Sequence, residues 1–159
     1  MARKPIEITH NGEEKAIFVA DGQNLLDVLR RTVGDLTPKY GCAQGTCGAC
    51  TVLIDGTPHL SCLTLAETAN GRAIETVAGL AGGELSPLQD AFMRNFSAQC
   101  GYCTGGMLMS AEALLRANPR PTREDVVEAI SGNLCRCTGY EAIIDAVMDA
   151  AQSAPRRMG

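Results

Sequence analysis

Three cysteines crowd the run Gly41-Cys42-Ala43-Gln44-Gly45-Thr46-Cys47-Gly48-Ala49-Cys50, and a fourth follows at Cys62. Soft thiolates spaced C-x4-C-x2-C, with a lone cysteine downstream, match the plant-type arrangement that holds a [2Fe–2S] cluster. Two irons bridged by two sulfides need four thiolates around a compact, negative body. A loop wrapped round that body has to supply three of them from one short segment. Gly41, Gly45 and Gly48 suit the wrapping, because a residue without a Cβ can take positive φ and bring backbone N–H groups close to sulfur. Such contacts help to set a reduction potential. C-x2-C pairs also build structural zinc sites, in which four ligands close a tetrahedron, but three ligands from this single loop speak for the cluster. Eight cysteines, an even number, also admit disulfides. Against them, Met1-Ala2-Arg3-Lys4 runs into Pro5-Ile6-Glu7 with no apolar signal core or small-residue cleavage site, so the cytoplasm is the expected location.

The other four cysteines form a second set, C-x2-C at Cys100 and Cys103 and C-x-C at Cys135 and Cys137. That pattern alone leaves zinc as a competitor. The upstream loop favours iron, since two neighbouring clusters make an electron path and a lone zinc beside such a loop does not. All eight thiols are then used. His10 and His59 read as ordinary surface residues, and Met107 and Met109 as packing. Arg136, between two cysteines, either offsets cluster charge or faces solvent, and Tyr102 and Tyr140 are placed to shield a cluster from water. Asp and Glu are scattered, with no paired carboxylates for acid–base work, so no catalytic residue is expected on this chain.

The elements that must position these thiols follow from the apolar patterning. Ile6–Ile8 and Ala16–Val19 flank Asn11-Gly12, a hairpin signal. Asp21 or Asn24 can cap a helix striped by Leu25, Leu26, Val28, Leu29 and Val33 and ended by Gly34. Thr51–Ile54, the Asp55-Gly56 turn and Thr57–Cys62 form a second hairpin that returns Cys62 to the loop. A helical turn at Leu65-Ala66-Glu67 and a last strand at Ala73–Thr76 complete a small mixed sheet clasping one helix. Ala78–Gly83 reads as a linker.

Beyond it the pattern turns helical. Ser86-Pro87 starts a helix with Leu88, Ala91, Phe92 and Phe96 on one side. Met107–Ala117 is striped by Leu108, Ala111, Leu114 and Leu115. Thr122 to Asp125 forms a capping box with Asp in the usual Glu place, ahead of Val126, Val127 and Ile130. Tyr140–Ala151 carries Ile143, Ile144, Val147 and Met148. Four striped helices imply a bundle, with both C-terminal cysteine pairs in turns at one end. The fold class is α+β, with domains over 1–80 and 81–159.

Within 159 residues the net charge is −4, and this charge and the absence of a Lys/Arg cluster beyond Arg156-Arg157 argue against a nucleic-acid partner. No window approaches the ~20 apolar residues that a membrane span needs.

Taken together, Gly41–Thr51, Gln99-Cys100-Gly101-Tyr102-Cys103-Thr104 and Gly132-Asn133-Leu134-Cys135-Arg136-Cys137-Thr138-Gly139-Tyr140 resemble the small iron–sulfur subunit of the xanthine oxidase family of molybdenum hydroxylases. The resemblance spans nearly the whole chain. It implies a β-grasp ferredoxin-like domain followed by a four-helix bundle, and two [2Fe–2S] clusters. It also implies a large molybdopterin (molybdenum) subunit and a medium FAD subunit, or another electron acceptor, as partners. The chain would then pass single electrons from molybdenum to FAD. The cluster of Cys100, Cys103, Cys135 and Cys137 would lie nearer the pterin, which Gln99 and Cys137 would contact. The cluster of Cys42, Cys47, Cys50 and Cys62 would lie nearer the flavin. Gly105 stands where relatives commonly carry proline. Two rival readings remain at this point, a free-standing two-cluster carrier and a zinc-organised interaction module.

Overall fold

The structure, a computed structural model, describes residues 3–153; Arg156-Arg157 lies outside them. The chain opens with a hairpin of β1 (Arg3–His10) and β2 (Glu13–Ala20), longer at both ends than the apolar core of each strand suggests. Asn11 and Gly12 take φ of 50° and 86°, the paired left-handed conformation of a tight hairpin turn. α1 (Leu25–Asp27) is capped by Asn24, whose side chain accepts from the Asp27 N–H at 2.8 Å. It runs on as a π-helical stretch, Val28–Val33, which Gly34 closes at φ 85°.

The cysteine loop leads into β3 (Thr51–Ile54) and β4 (Thr57–Leu60), and β5 (Ala73–Glu75) completes a five-stranded sheet in the order β2-β1-β5-β3-β4. Only the β1–β5 pair is parallel. Ile6, Ile8, Val19, Val52 and Ile74 on the sheet bury against Leu25, Val28 and Leu29 of the helix, each contributing roughly 1.5–3 kcal/mol by leaving water.

Four helices follow: α2 (Pro87–Arg94), α3 (Thr104–Ala117), α4 (Arg123–Ile130) and α5 (Glu141–Ser153). α2 and α4 start on capping boxes, Ser86 with Gln89 and Thr122 with Asp125. Leu88, Phe92, Met107, Val126, Ile143 and Val147 form their common core. None of the helices among the described residues is long and apolar enough to cross a membrane.

Several expectations change. Phe96 belongs to no apolar face: α2 ends at Arg94, and Phe96 lies past it at φ 52°, 85% exposed. Val127 also faces solvent, because α4 is short and Val126 and Ile130 already fill its inner side. Ala78–Gly83 is only partly a linker, since Val77–Leu80 forms a 3₁₀ turn whose Val77 and Leu80 pack on the helical core. α3 starts three residues earlier than its stripe, at Thr104.

That early start seats the helix on the sheet domain. A Cβ at Gly106 would lie 2.1 Å from the Gly48 carbonyl oxygen, and one at Gly105 would lie 3.3 Å from that of Thr37. The two glycines thus permit close approach. At the far end of α3, Arg116 donates to both carboxylate oxygens of Glu75 in β5, at 2.8 Å each.

His10 is also reassigned. Far from the surface, it is buried at the end of β1, where its Nε2 pairs with Asp35 Oδ2 at 3.0 Å. Asp35 accepts further from the Thr76 hydroxyl at 2.6 Å and from the Thr37 N–H and hydroxyl at 2.9 and 2.6 Å. Burial pushes its carboxyl up, but these donors outweigh that and hold it well below the usual carboxylate range. One carboxylate thereby ties β1, the end of the π-helical stretch and β5 together, and carries Thr37 to the foot of α3.

Two expectations follow. Gly106→Ala should destabilise the chain by roughly 3 kcal/mol, because backbone has to move, whereas Gly82→Ala, which meets nothing within 4 Å, should leave the thermal midpoint unchanged. Asp35→Asn should lower stability at neutral pH by about 1.5–3 kcal/mol, the range for hydrogen bonds to a charged group. Because the carboxylate titrates below its unfolded value, its contribution is complete above about pH 4. The gap between parent and variant in calorimetry should stay constant down to there and close on further acidification.

Candidate metal centres

The cysteine loop is held open by its backbone. Ala43, Gly45 and Gly48 take φ of 55°, 82° and 68°, and this winding turns the Gln44 and Thr46 N–H groups onto Cys42 Sγ at 3.5 and 3.3 Å. A Cβ on Gly41 would meet Cys47 Sγ at 2.5 Å, so a side chain there would displace that thiol. The β3–β4 hairpin then delivers Cys62, and the Ser61 N–H and hydroxyl both bond the Cys50 carbonyl, at 3.4 and 2.7 Å. Cys62 comes to rest beside Cys50, as Cys47 does beside Cys42. Cys50 and Cys62 are buried, and Cys42 and Cys47 half-buried.

The second set is assembled from the turn before α3 and the turn before α5. Cys103 stands at the head of α3 and neighbours Cys135; Cys100 neighbours Cys137. The Thr138 N–H and hydroxyl reach Cys135 Sγ at 3.4 and 3.1 Å. Tyr140, at φ 72°, folds back so that its hydroxyl accepts from the Cys135 N–H at 3.0 Å. Cys103 is buried, whereas Cys100, Cys137 and the adjoining Gln99 are exposed.

The electrostatics differ from thiol to thiol. The Thr46 side chain and the Gln44 and Thr46 N–H groups lower Cys42 to about 6. Burial, then the adjacent Cys50, pushes Cys62 up to about 11. Burial, then Cys135, pushes Cys103 up to about 12. At Cys135 burial is outweighed by the two Thr138 donors, and the thiol falls below its ordinary value.

The residues fit an iron–sulfur cluster better than a single ion. All eight cysteines are free thiols, standing two by two. A two-iron cluster takes two thiolates per iron, which is the grouping found.

The remaining sequence-derived candidates fall into place around these sites. His59 is exposed on β4 and Arg136 is exposed between its cysteines. Tyr102, partly exposed, donates its hydroxyl to the Tyr40 carbonyl and so links the two cysteine loops. Sequence reasoning missed the His10–Asp35 pair and Asn133, which is buried between the loops. Their partners are far along the chain, Asp35 lying 25 residues from His10 and Gly48 lying 85 from Asn133, so no local spacing announces them.

The comparisons agree with this geometry. Residues 8–79 match the family described as a 2Fe-2S iron-sulfur cluster binding domain, and residues 76–148 match the [2Fe-2S] binding domain. The small subunit of nicotine 6-hydroxylase from Paenarthrobacter nicotinovorans is 53% identical, over 93% of this chain and 90% of that one. The xanthine dehydrogenase iron-sulfur-binding subunit of Escherichia coli O157:H7 is 44% identical, over 93% and 94%. In the crystal structure of quinoline 2-oxidoreductase from Pseudomonas putida 86, a chain 51% identical superposes with a TM-score of 0.91, over 94% of each. Two [2Fe–2S] domains in tandem define an iron–sulfur electron-transfer protein. Within that class, this chain belongs to the small iron–sulfur subunits of the xanthine oxidase family.

The thiol electrostatics lead to a direct measurement. In the metal-free chain near neutral pH, Cys42 should be alkylated fastest and Cys103 slowest, because the thiolate is the nucleophile. Timed iodoacetamide labelling with peptide mass mapping reads the order.

Proposed function

We propose that Cys42, Cys47, Cys50 and Cys62 ligate one [2Fe–2S] cluster and that Cys100, Cys103, Cys135 and Cys137 ligate the other. Between them the chain relays single electrons from a molybdopterin centre on a large partner subunit to FAD on a medium subunit or to another acceptor. When bound, the clusters supply the one-electron redox chemistry, and substrate conversion belongs to a partner chain. The observation that carries the reading is the pairing of eight free thiols into two quartets of unequal exposure.

The chain's own residues do three things. The Gln44, Thr46 and Thr138 N–H groups stabilise thiolate sulfur, which favours the more negative, reduced state of whatever the sulfurs hold. Burial of Cys50, Cys62 and Cys103 excludes water from one side of each site. Exposure of Gln99, Cys100 and Cys137 leaves the second quartet open to a partner. This supports contact of Gln99 and Cys137 with the pterin, the amide by hydrogen bonding and the cysteine as a cluster ligand. On the same reading the first quartet faces the flavin side.

The finer architecture belongs to the proposal too. The strand order clasping α1 supports a β-grasp domain over 1–80, and the shared core of α2 to α5 supports a four-helix bundle over 81–159. Eight unpaired thiols accord with the reducing cytoplasm.

Anaerobically purified protein should contain about four irons and about four acid-labile sulfides per chain and give two distinguishable electron paramagnetic resonance signals when reduced. Cys62→Ala should abolish one signal and leave the other. Co-purification with larger subunits at fixed stoichiometry is expected; a colourless, zinc-loaded chain, or an iron-replete one that stays alone, would overturn this function.

A further inference from the structure

Between the two cysteine loops lies one buried polar side chain that ligand chemistry does not use. Asn133, 3% exposed, comes two residues before Cys135. Its amide nitrogen donates to the Gly48 carbonyl at 3.0 Å and leans on Thr51 Oγ1 at 3.4 Å. Its amide oxygen accepts from the Ser110 hydroxyl of α3 at 2.8 Å. One residue on, the Leu134 N–H donates to the Cys47 carbonyl at 2.9 Å. Neighbouring residues of the second loop are therefore pinned to neighbouring carbonyls of the first.

Sterics close the same contact. A Cβ on Gly48 would lie 2.5 Å from both Asn133 Nδ2 and the Gly132 carbonyl oxygen, and one on Gly106 would lie 3.0 Å from Asn133 Nδ2. A planar amide with donor and acceptor both engaged, in a gap with no room for a methyl group, has one available pose. Two further links between the halves, Tyr102 to Tyr40 and Arg116 to Glu75, are partly exposed and do not touch this contact.

Electron tunnelling decays more steeply through an empty gap than along bonds. A hydrogen bond that joins two ligand-bearing loops is therefore worth holding closed. We propose that Asn133 is a positioning residue for electron transfer between the two centres. It keeps the Leu134 N–H on the Cys47 carbonyl, giving a bonded route from Cys47 through that hydrogen bond and the Leu134 peptide to Cys135. The step it serves moves one electron between the quartets, makes and breaks no bond and releases no proton. This rests on the reading of the quartets as cluster ligands.

The test uses the assembled complex carrying Asn133→Asp, which keeps the shape but sets a carboxylate against the Gly48 carbonyl. Ser110→Ala, which removes only the bond to the amide oxygen, serves as the milder variant, and Arg116→Gln as the control that breaks a link elsewhere. Iron and sulfide content, hydrogen exchange at the Leu134 amide, the magnetic splitting between the two reduced centres and the flash-reduction rate between them are measured. With iron content unchanged, Asn133→Asp should exchange Leu134 faster and slow the inter-centre rate. The splitting should shrink. Ser110→Ala should shift each readout in the same direction by less, and Arg116→Gln should shift none.

Unchanged splitting and rate in iron-replete Asn133→Asp would overturn the proposal. Should that variant fail to load iron, unchanged values in Ser110→Ala would do so. A parent without iron would instead fail the ligand reading and take this proposal with it.

Discussion

Four sulfur atoms that are to become anionic have to be held within one small volume, and mutual repulsion works against every arrangement that achieves it. The metal-free chain eases this by keeping two of its buried thiols protonated. Burial and a neighbouring thiol raise Cys62 to about 11 and Cys103 to about 12, so these positions are neutral when the polypeptide folds. Binding iron exchanges those protons for metal, and cluster assembly releases protons and stabilises the fold. Like Cys135, which Thr138 lowers, Cys42 is an exception, brought down to about 6 by donors from its own loop. It is ready as a thiolate at the more open edge of its site. The first quartet thus runs from the readily ionised Cys42 to the buried, neutral Cys62, and the second from Cys135, lowered by Thr138, to the buried, neutral Cys103.

The loops that carry the thiols are stable because each is fastened at both ends to something rigid. The first is fixed by β3, by the Ser61 bonds to Cys50, and by the Lys39 N–H on the Ala49 carbonyl at 3.0 Å. The second is fixed by the start of α5 and by the Tyr140 hydroxyl on the Cys135 N–H. The Asp35 network supplies the deeper anchor, since it braces the ends of β1 and β5 and directs the segment from Thr37 to Tyr40 toward α3. Without that brace the close approach of α3 to the sheet, which Gly105 and Gly106 permit, would have no fixed counterpart.

The exposure pattern has a consequence for assembly. Gln99, Cys100 and Cys137 form an open edge on the helical half, and the apolar Phe96 lies three residues before Gln99 with its backbone in a conformation that favours glycine. A chain whose role is to hand electrons on needs such an edge, because transfer to a partner requires a short gap and not a sealed wall.

The sequence by itself determined the two cysteine quartets, the hairpin turns, the caps of α2 and α4 and the order of strands and helices. All of these are written in spacings of a few residues, and the physics that reads them is local. Thiolate spacing, positive φ at Asn11-Gly12 and a hydroxyl over the first turn of a helix need no knowledge of the rest of the chain. Tertiary structure alone decided that His10 is buried against Asp35, that Phe96 and Val127 face outward, that Val77–Leu80 packs on the helices, and that Asn133 lies between the cysteine loops. The buried contacts among these depend on a partner many residues away, and a polar side chain carries the same letters whether it meets water or a distant carbonyl. Burial is a property of the assembled surfaces, so it becomes legible only when the sheet and the helices have closed on one another.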